Sequence, residues 1–362
     1  MQDKITALIP TYKRPKYLRR AILSVLRQTH RNLQISIFDN ASGDNTESVV
    51  DELSRNDKRI EYHCHKENIG ASRNFKYAFN SVETPYFSVI SDDDFLALDF
   101  YENAVNVLSN NSDVMFVVLN TLIVDEHASL IGDCVSTNSL TFYRDKDRFD
   151  ILHSGAIPLT WTAMVFRKEL AQIYADMDDR YDVAADMRFL LHSAARYNFA
   201  HLSKVGAFLT YHAGSFSLSR KTFDYVHQGV QVSRYIEIIH DKNVPEYIRN
   251  RSAYYLNKLF INGFYRQELM PALKRLIKNC CNETNLNSDL VKNDIKNSKY
   301  AGFVKTSAFL NFLYQNQFFR NIVNALFGGY YKKRKSRFQY KMSMLQNGRY
   351  KKLFQDIKEI NS

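Results

Sequence analysis

Three consecutive carboxylates, Asp92-Asp93-Asp94, stand at the end of the short apolar run Tyr86-Phe87-Ser88-Val89-Ile90-Ser91. Adjacent acids repel one another, so the arrangement costs stability unless a cation or hydrogen-bond donors neutralise it. Hard oxygen ligands suit Mg²⁺ or Mn²⁺, which keep positions open for substrate phosphates. The plainer alternative is a helix N-cap at Asp94 before Leu98, with Asp92 and Asp93 solvated. Asp39 ends another apolar run and is a fixed acceptor for the ring N–H of uracil, thymine or guanine; cytosine lacks that donor. Asn68-Ile69-Gly70 precedes a helical pattern with Arg73 and Asn74 in its first turn, and a guanidinium beside backbone amides suits a diphosphate. Taken singly, Asp39 reads as a cap and Arg73 as a surface ion pair. Their placement at successive strand ends joins them into one pocket.

The elements that must position these groups alternate. Ile5 to Ile9 reads as a buried strand stopped by Pro10, and Pro15 opens a helix whose Leu18, Ile22, Val25 and Leu26 recur at helical spacing through Gln28. Gln34 to Phe38, then Asp44 to Leu53, repeat strand and helix, as do Ile60 to Cys64 and Ala71 to Val82. This alternation predicts an α/β fold with a mostly parallel sheet and helices on both faces, binding ligands at the carboxyl ends of its strands. Neither G-x-G-x-x-G nor G-x-x-x-x-G-K-[ST] occurs, which argues against a dinucleotide or P-loop site. Asp113 to Leu119 reads as a further strand, Asn120 to Val135 as an exposed excursion, and Ile157 to Phe166 as a loop leading into a strand or helix.

Composition bounds the classes. The 362 residues are 45% hydrophobic and 24% charged, a globular balance with room for two domains. The four cysteines show no C-x-x-C spacing, so neither zinc nor a disulfide framework is indicated and a reducing compartment fits. No N-terminal signal or long apolar span is read, so a cytoplasmic protein is expected. Residues 215–362 hold 26 Lys+Arg against 10 Asp+Glu, within a total net charge of +11. The acids therefore lie with the chemistry, and the bases lie in the C-terminal region.

At Ile9-Pro10-Thr11-Tyr12-Lys13-Arg14 with Ala21 to Thr29, Phe38-Asp39-Asn40-Ala41-Ser42, Asn68-Ile69-Gly70 with Ala71 to Asn74, and Ser91-Asp92-Asp93-Asp94, the chain resembles the family 2 glycosyltransferases of GT-A fold. The resemblance covers roughly residues 4 to 217. It implies that Pro10, Thr11 and Arg14 line a nucleoside site, that Asp39 holds the base, and that Arg73, with Asn68 and Gly70, lies near the base or diphosphate. Asp92 and Asp93 would contact ribose and orient the site, while Asp94 binds Mn²⁺ or Mg²⁺. The general base is expected at Asp186, which opens a helical pattern whose Phe189, Leu190 and Ala194 face inward; Ala185 stands where the family has Glu, leaving Asp182 as second choice. A carboxylate there is also a common cap. His212-Ala213-Gly214-Ser215-Phe216-Ser217 resembles a segment that meets the diphosphate and sometimes the metal, with Thr210 where Arg is usual. Trp161, the single tryptophan, stacks on a sugar or packs in the core.

From Ile295 through Gln355 the sequence has no acid and 13 Lys+Arg interleaved with aromatics. Phe318 to Tyr331 followed by Lys332-Lys333-Arg334-Lys335 reads as an interfacial helix with a polybasic flank, suited to an anionic membrane. A solvated helical face is the plainer alternative, and nucleic acid is disfavoured because no binding motif accompanies the bases. The expectation is a GT-A domain over 1–217 and a helical, basic domain over 218–362. Together they would form a metal-dependent inverting transferase taking sugar from a nucleotide diphosphate, UDP first, to a glycan or lipid-linked hydroxyl in bacterial surface polysaccharide assembly. The rival is an inactive relative that binds membrane or nucleic acid through its basic region.

Overall fold

The computed structural model describes residues 3–261 apart from 56, 136–138, 146, 155, 159, 178–184, 213–234 and 236. Asp182, Ala213 to Ser217 and the basic, aromatic region from 262 onward thus lie outside the described residues. The chain divides into two compact units, residues 1–219 with 348–362, and residues 220–347.

In the first unit ten strands form one mixed sheet in the order β3-β2-β1-β4-β9-β6-β10-β5, with β7 beside β6 and β8 beside β10. The strands are β1 (Ile5–Thr11), β2 (Leu33–Asp39), β3 (Ile60–Cys64), β4 (Tyr86–Val89), β5 (Phe95–Leu96), β6 (Val114–Asp125), β7 (Leu130–Cys134), β8 (Leu140–Tyr143), β9 (Met164–Arg167) and β10 (Asn198–Tyr211). The helices are α1 (Pro15–Leu26), α2 (Thr46–Ser54), α3 (Ala71–Asn80), α4 (Phe100–Ser109), α5 (Asp147–Ser154), α6 (Ala171–Asp176) and α7 (Ala185–Arg196). The three longest ladders, β6–β10, β1–β2 and β2–β3, are parallel, and β9 runs antiparallel between β4 and β6.

Period-two alternation puts consecutive residues on opposite faces. Tyr86, Val117, Val165 and Ala200 join Ile5, Ala7 and Ile9 in the core under α1 and α4. Their neighbours Phe87, Phe116, Phe166 and Phe199 stack along the other face, with ring centroids 5.2 Å (Phe87–Phe166), 5.8 Å (Phe116–Phe166) and 4.8 Å (Phe116–Phe199) apart. Phe79 of α3, Tyr174 of α6 and Phe189 of α7 close over that aromatic face. The sheet therefore has helices on both sides, as the alternation predicts.

Two elements differ from expectation. β1 continues through Pro10 to Thr11, because its pairing with β4 has already ended at Leu8 and the missing N–H falls where the ladder has one partner only. Asn120 to Asp125 is no exposed excursion but the second half of β6, paired with both β7 and β10. Its polar residues are buried: Asn120 Oδ1 lies 2.9 Å from His201 Nε2 on β10.

His201 is wholly buried, and burial lowers its pKa to about 4. The unfolded chain takes up a proton on this ring below about pH 6.5 while the native protein stays neutral until about pH 4. Stability is therefore lost as pH falls through that window, by roughly 3 kcal/mol from this group alone. Urea unfolding at pH 7 and pH 4.5 should show a larger acid loss for the unsubstituted protein than for His201→Gln. Equal losses would refute this account.

In the second unit, α8 (Glu246–Ile261) follows Pro245, and Arg251 lies 5.2 and 5.1 Å from the ring centroids of Tyr254 and Tyr255.

Candidate active site

The acid triplet lies in the turn after β4, closed by a 3.0 Å bond from the Asp94 N–H to the Ser91 carbonyl. That turn gives Asp92 and Asp93 a shared partner in Arg14 and sends Asp94 to a separate set. Asp92 accepts from the Thr11 hydroxyl at 2.8 Å and from the Arg14 guanidinium at 3.0 Å. Asp93 Oδ2 accepts from the same guanidinium at 2.9 Å and lies 3.1 Å from His212 Nε2. Asp94 accepts from the Thr162 hydroxyl and the Thr210 N–H, both at 2.9 Å. None caps a helix, since β5 and not a helix follows Asp94 and α4 begins only at Phe100.

His212, expected with Asp94 at the metal, lies beside Asp93, while each Asp94 oxygen accepts one hydrogen bond, from the Thr162 hydroxyl or the Thr210 N–H. Burial, then the neighbouring Asp93 charge, hold the Asp94 pKa well above the usual carboxylate range. Burial likewise pushes Asp92 up to about 6 against the pull of Arg14. The donor types at the turn, the Asp93 and Asp94 carboxylate oxygens and the His212 imidazole, are ones that Mg²⁺ or Mn²⁺ accepts, with substrate phosphates for the remaining ligands. Among the described residues no three His, Cys, Asp or Glu side chains cluster as a complete metal cage.

A second polar group gathers where β2 and β3 end. Asp39, 2% exposed, accepts from the Ser42 N–H at 3.0 Å, the Ser42 hydroxyl at 2.5 Å and the Tyr62 hydroxyl at 2.6 Å. Pro10 is buried and Thr11 bonds Asp92, so the end of β1 links the two groups. Asn68 Oδ1 accepts from Asn40 at 3.0 Å and from the Gly70 N–H at 2.9 Å, and Asn40 in turn accepts from the Ile69 N–H at 2.8 Å. Asn68 thereby shapes the loop, and Gly70 takes φ +87°, a region that glycine adopts without strain. Arg73 is exposed on the first turn of α3.

Asp186 sits half-buried in the first turn of α7, its Oδ1 accepting from the Met187 N–H at 2.8 Å, and burial raises its pKa. Phe189, Leu190 and Ala194 of that helix are buried, as their spacing predicts. Trp161 does not offer an open ring to a sugar. It packs 4.7 Å from Phe75 inside the aromatic cluster, with its indole N–H 3.5 Å from the Ser91 hydroxyl. Its place in the short helix Trp161–Ala163 instead sets Thr162 against Asp94.

Three contributors escaped sequence reasoning, Arg20, Tyr62 and Thr162, and Thr210 was noted only for the Arg that it replaces. Arg20 carried a signal. With Ser24 and Gln28 it forms a polar series at i, i+4, i+8 that runs along α1 and just past its end. The stripe zips α1 to the chain beyond the acids: Arg20 donates to the Asp93 carbonyl at 2.8 Å, the Leu96 N–H donates to Ser24 at 3.1 Å, and Gln28 donates to the Ala97 carbonyl at 2.6 Å. Arg20 also bonds the Thr210 hydroxyl, so a guanidinium from α1 reaches the position where an Arg on β10 was the expected pattern.

The sheet order, the acid turn after β4 and the polar group after β2 place this domain in the GT-A class. TarS of Staphylococcus aureus (residues 1–349, in complex with UDP) superposes with TM-score 0.55 at 16% identity, over 70% of each chain. The mannosyltransferase PcManGT of Pyrobaculum calidifontis, in complex with GDP-Man and Mn²⁺, gives 0.51 at 15% identity over 90% of this chain and 87% of that one. Residues 6–174 match the model of Glycosyl transferase family 2, so this stretch of the chain is similar to members of that family. A glycosyltransferase of Rickettsia felis is 35% identical over 128 residues, 35% of this chain and 21% of the relative. Glycosyltransferase GlyA of Streptococcus pneumoniae is 31% identical over 102 residues, 28% of this chain and 14% of the relative. This chain therefore corresponds to about a fifth or less of each of these two curated relatives.

Proposed function

We propose that the protein transfers one sugar from a nucleoside diphosphate donor, UDP-linked first among the choices, to a hydroxyl of a glycan or lipid-linked acceptor with inversion at the anomeric carbon. Bacterial surface polysaccharide assembly is the setting proposed. The observation that carries the reading is the convergence of Arg14, Asp92, Asp93 and His212 at the mouth of the sheet, one strand away from Asp39. Asp39 would take the base N–H, Asp92 and Thr11 the ribose side, and Arg14 and Arg73 the diphosphate. Asp93 and His212 would hold Mn²⁺ or Mg²⁺, whose charge stabilises the departing nucleoside diphosphate. Asp186 would accept the acceptor hydroxyl's proton as it attacks.

The division at 217/218 into catalytic and C-terminal domains belongs to the same proposal; the change of unit after residue 219 supports that boundary, while 348–362 group with the first unit. Among the described residues no helix is long and apolar enough to cross a membrane. The proposed contact with an anionic membrane rests on the basic sequence beyond residue 262. Asp186 at the head of α7 favours turnover over a binding-only role.

Thermal unfolding with UDP, GDP and dTDP, each with and without Mn²⁺, tests the donor site. A ligand at about 100 times its dissociation constant stabilises the native state by about 2.7 kcal/mol and raises the midpoint by a few degrees. A Mn²⁺-dependent rise with UDP is expected; no rise with any nucleotide would remove the reading.

A further inference from the structure

Tyr62 is a half-buried residue of β3 to which the proposed chemistry gives no role, yet its hydroxyl is 2.6 Å from Asp39 Oδ2. An ionised carboxylate offers about four acceptor positions, two on each oxygen. The Asp39 positions can be assigned one by one. Oδ1 receives two donors, the Ser42 N–H at 3.0 Å and the Ser42 hydroxyl at 2.5 Å. The Ser42 oxygen also accepts from the Lys13 N–H at 2.8 Å, so its own hydrogen is directed to Asp39. Oδ1 is filled. Oδ2 receives the Tyr62 hydroxyl, and its other position is faced by the Cys64 thiol at 3.9 Å, a weak and long contact that a ligand N–H readily replaces.

One acceptor position is therefore left for a base. We infer that Tyr62 is a specificity-determining residue: by filling half of Asp39 Oδ2 it restricts the site to a base edge with a single donor. Uracil and thymine present one ring N–H. Guanine presents a ring N–H and an adjacent amino group, a pair that a carboxylate matches only with a position free on each of its oxygens or with two free on one. The second guanine donor is left buried and unpaired, which is the kind of loss that discriminates strongly between otherwise similar ligands. Cytosine fails for the opposite reason, having no donor at that ring position. The inference rests on the proposed nucleotide site and deepens it, by assigning the choice among nucleotides to one hydroxyl.

Tyr62→Phe removes that hydroxyl and leaves the ring in place, and Tyr62→Leu removes hydroxyl and ring together. Calorimetric titration of UDP, dTDP, GDP and CDP, with Mn²⁺ present, is made on both variants and on the unsubstituted full-length protein. The unsubstituted protein is expected to bind UDP and dTDP at least about tenfold more tightly than GDP, a factor within reach of one unpaired donor. Both variants should bind GDP more tightly, so that the UDP-to-GDP preference falls about tenfold, while UDP affinity changes less than about threefold. An unchanged preference in a variant that still binds UDP overturns the role of Tyr62 and leaves the donor site standing. Equal binding of UDP and GDP by the unsubstituted protein also overturns it. Failure of the unsubstituted protein to bind any of the four nucleotides overturns the donor site itself.

Discussion

Asp186→Asn is expected to bind UDP and Mn²⁺ as the unsubstituted protein does and to transfer sugar about 10²- to 10⁴-fold more slowly, the usual range for loss of a positioned base. The substitution keeps the shape and the acceptor oxygen that receives the Met187 N–H, so the helix start should survive it. What it removes is the capacity to take a proton. Burial already raises the pKa of this carboxyl, which strengthens it as a base. The sign of the pH effect follows. The base works only when deprotonated, so kcat/KM should fall as pH drops through a value above the ordinary Asp range near 4. The residual activity of Asp186→Asn should lack that acid limb. The donor-binding shift in unfolding midpoint separates this outcome from misfolding, and near-normal turnover would exclude Asp186 from the chemistry.

Much of this site was legible because its parts lie at strand ends, where short apolar runs give way to polar residues. The Gln34 to Phe38 run delivered Asp39 and the Tyr86 to Ile90 run delivered the acid triplet, each at the carboxyl end of a parallel strand. What the sequence did not show is which hydrogen-bond network holds Asp94 in the triplet. The partners that decide it, Thr162 and Thr210, are 68 and 116 residues away from Asp94 and carry no pattern of their own. The second half of β6 was missed for a related reason. Asn120 and Thr121 look like the start of a loop, but Asn120 is paid for by a buried histidine on a strand that follows much later. Trp161 was ambiguous by type alone, and only the rings of Phe75 and Tyr174 around it settle that it packs.

The division within the triplet gives the second large effect. Asp93→Asn should abolish the Mn²⁺-dependent part of the UDP-induced rise in unfolding midpoint and lower transfer by about 10²-fold or more, because the group that it neutralises is the one facing both His212 and Arg14. His212→Ala should weaken the Mn²⁺ response in the same direction, since it removes the second ligand that the proposal assigns. Asp94→Asn should behave differently. Its carboxylate binds the Thr162 hydroxyl and the Thr210 N–H, and both bonds tie the acid turn to neighbouring segments. The amide retains one acceptor oxygen, so this variant should keep a Mn²⁺ requirement and lose mainly stability, with a lowered midpoint in the absence of nucleotide. Measuring Mn²⁺ dependence of UDP binding across the three variants therefore reads the assignment directly. If Asp94→Asn lost the metal response while Asp93→Asn kept it, the cation would sit on the far side of the turn, and Thr162 and Thr210 would have to release Asp94 for it to bind.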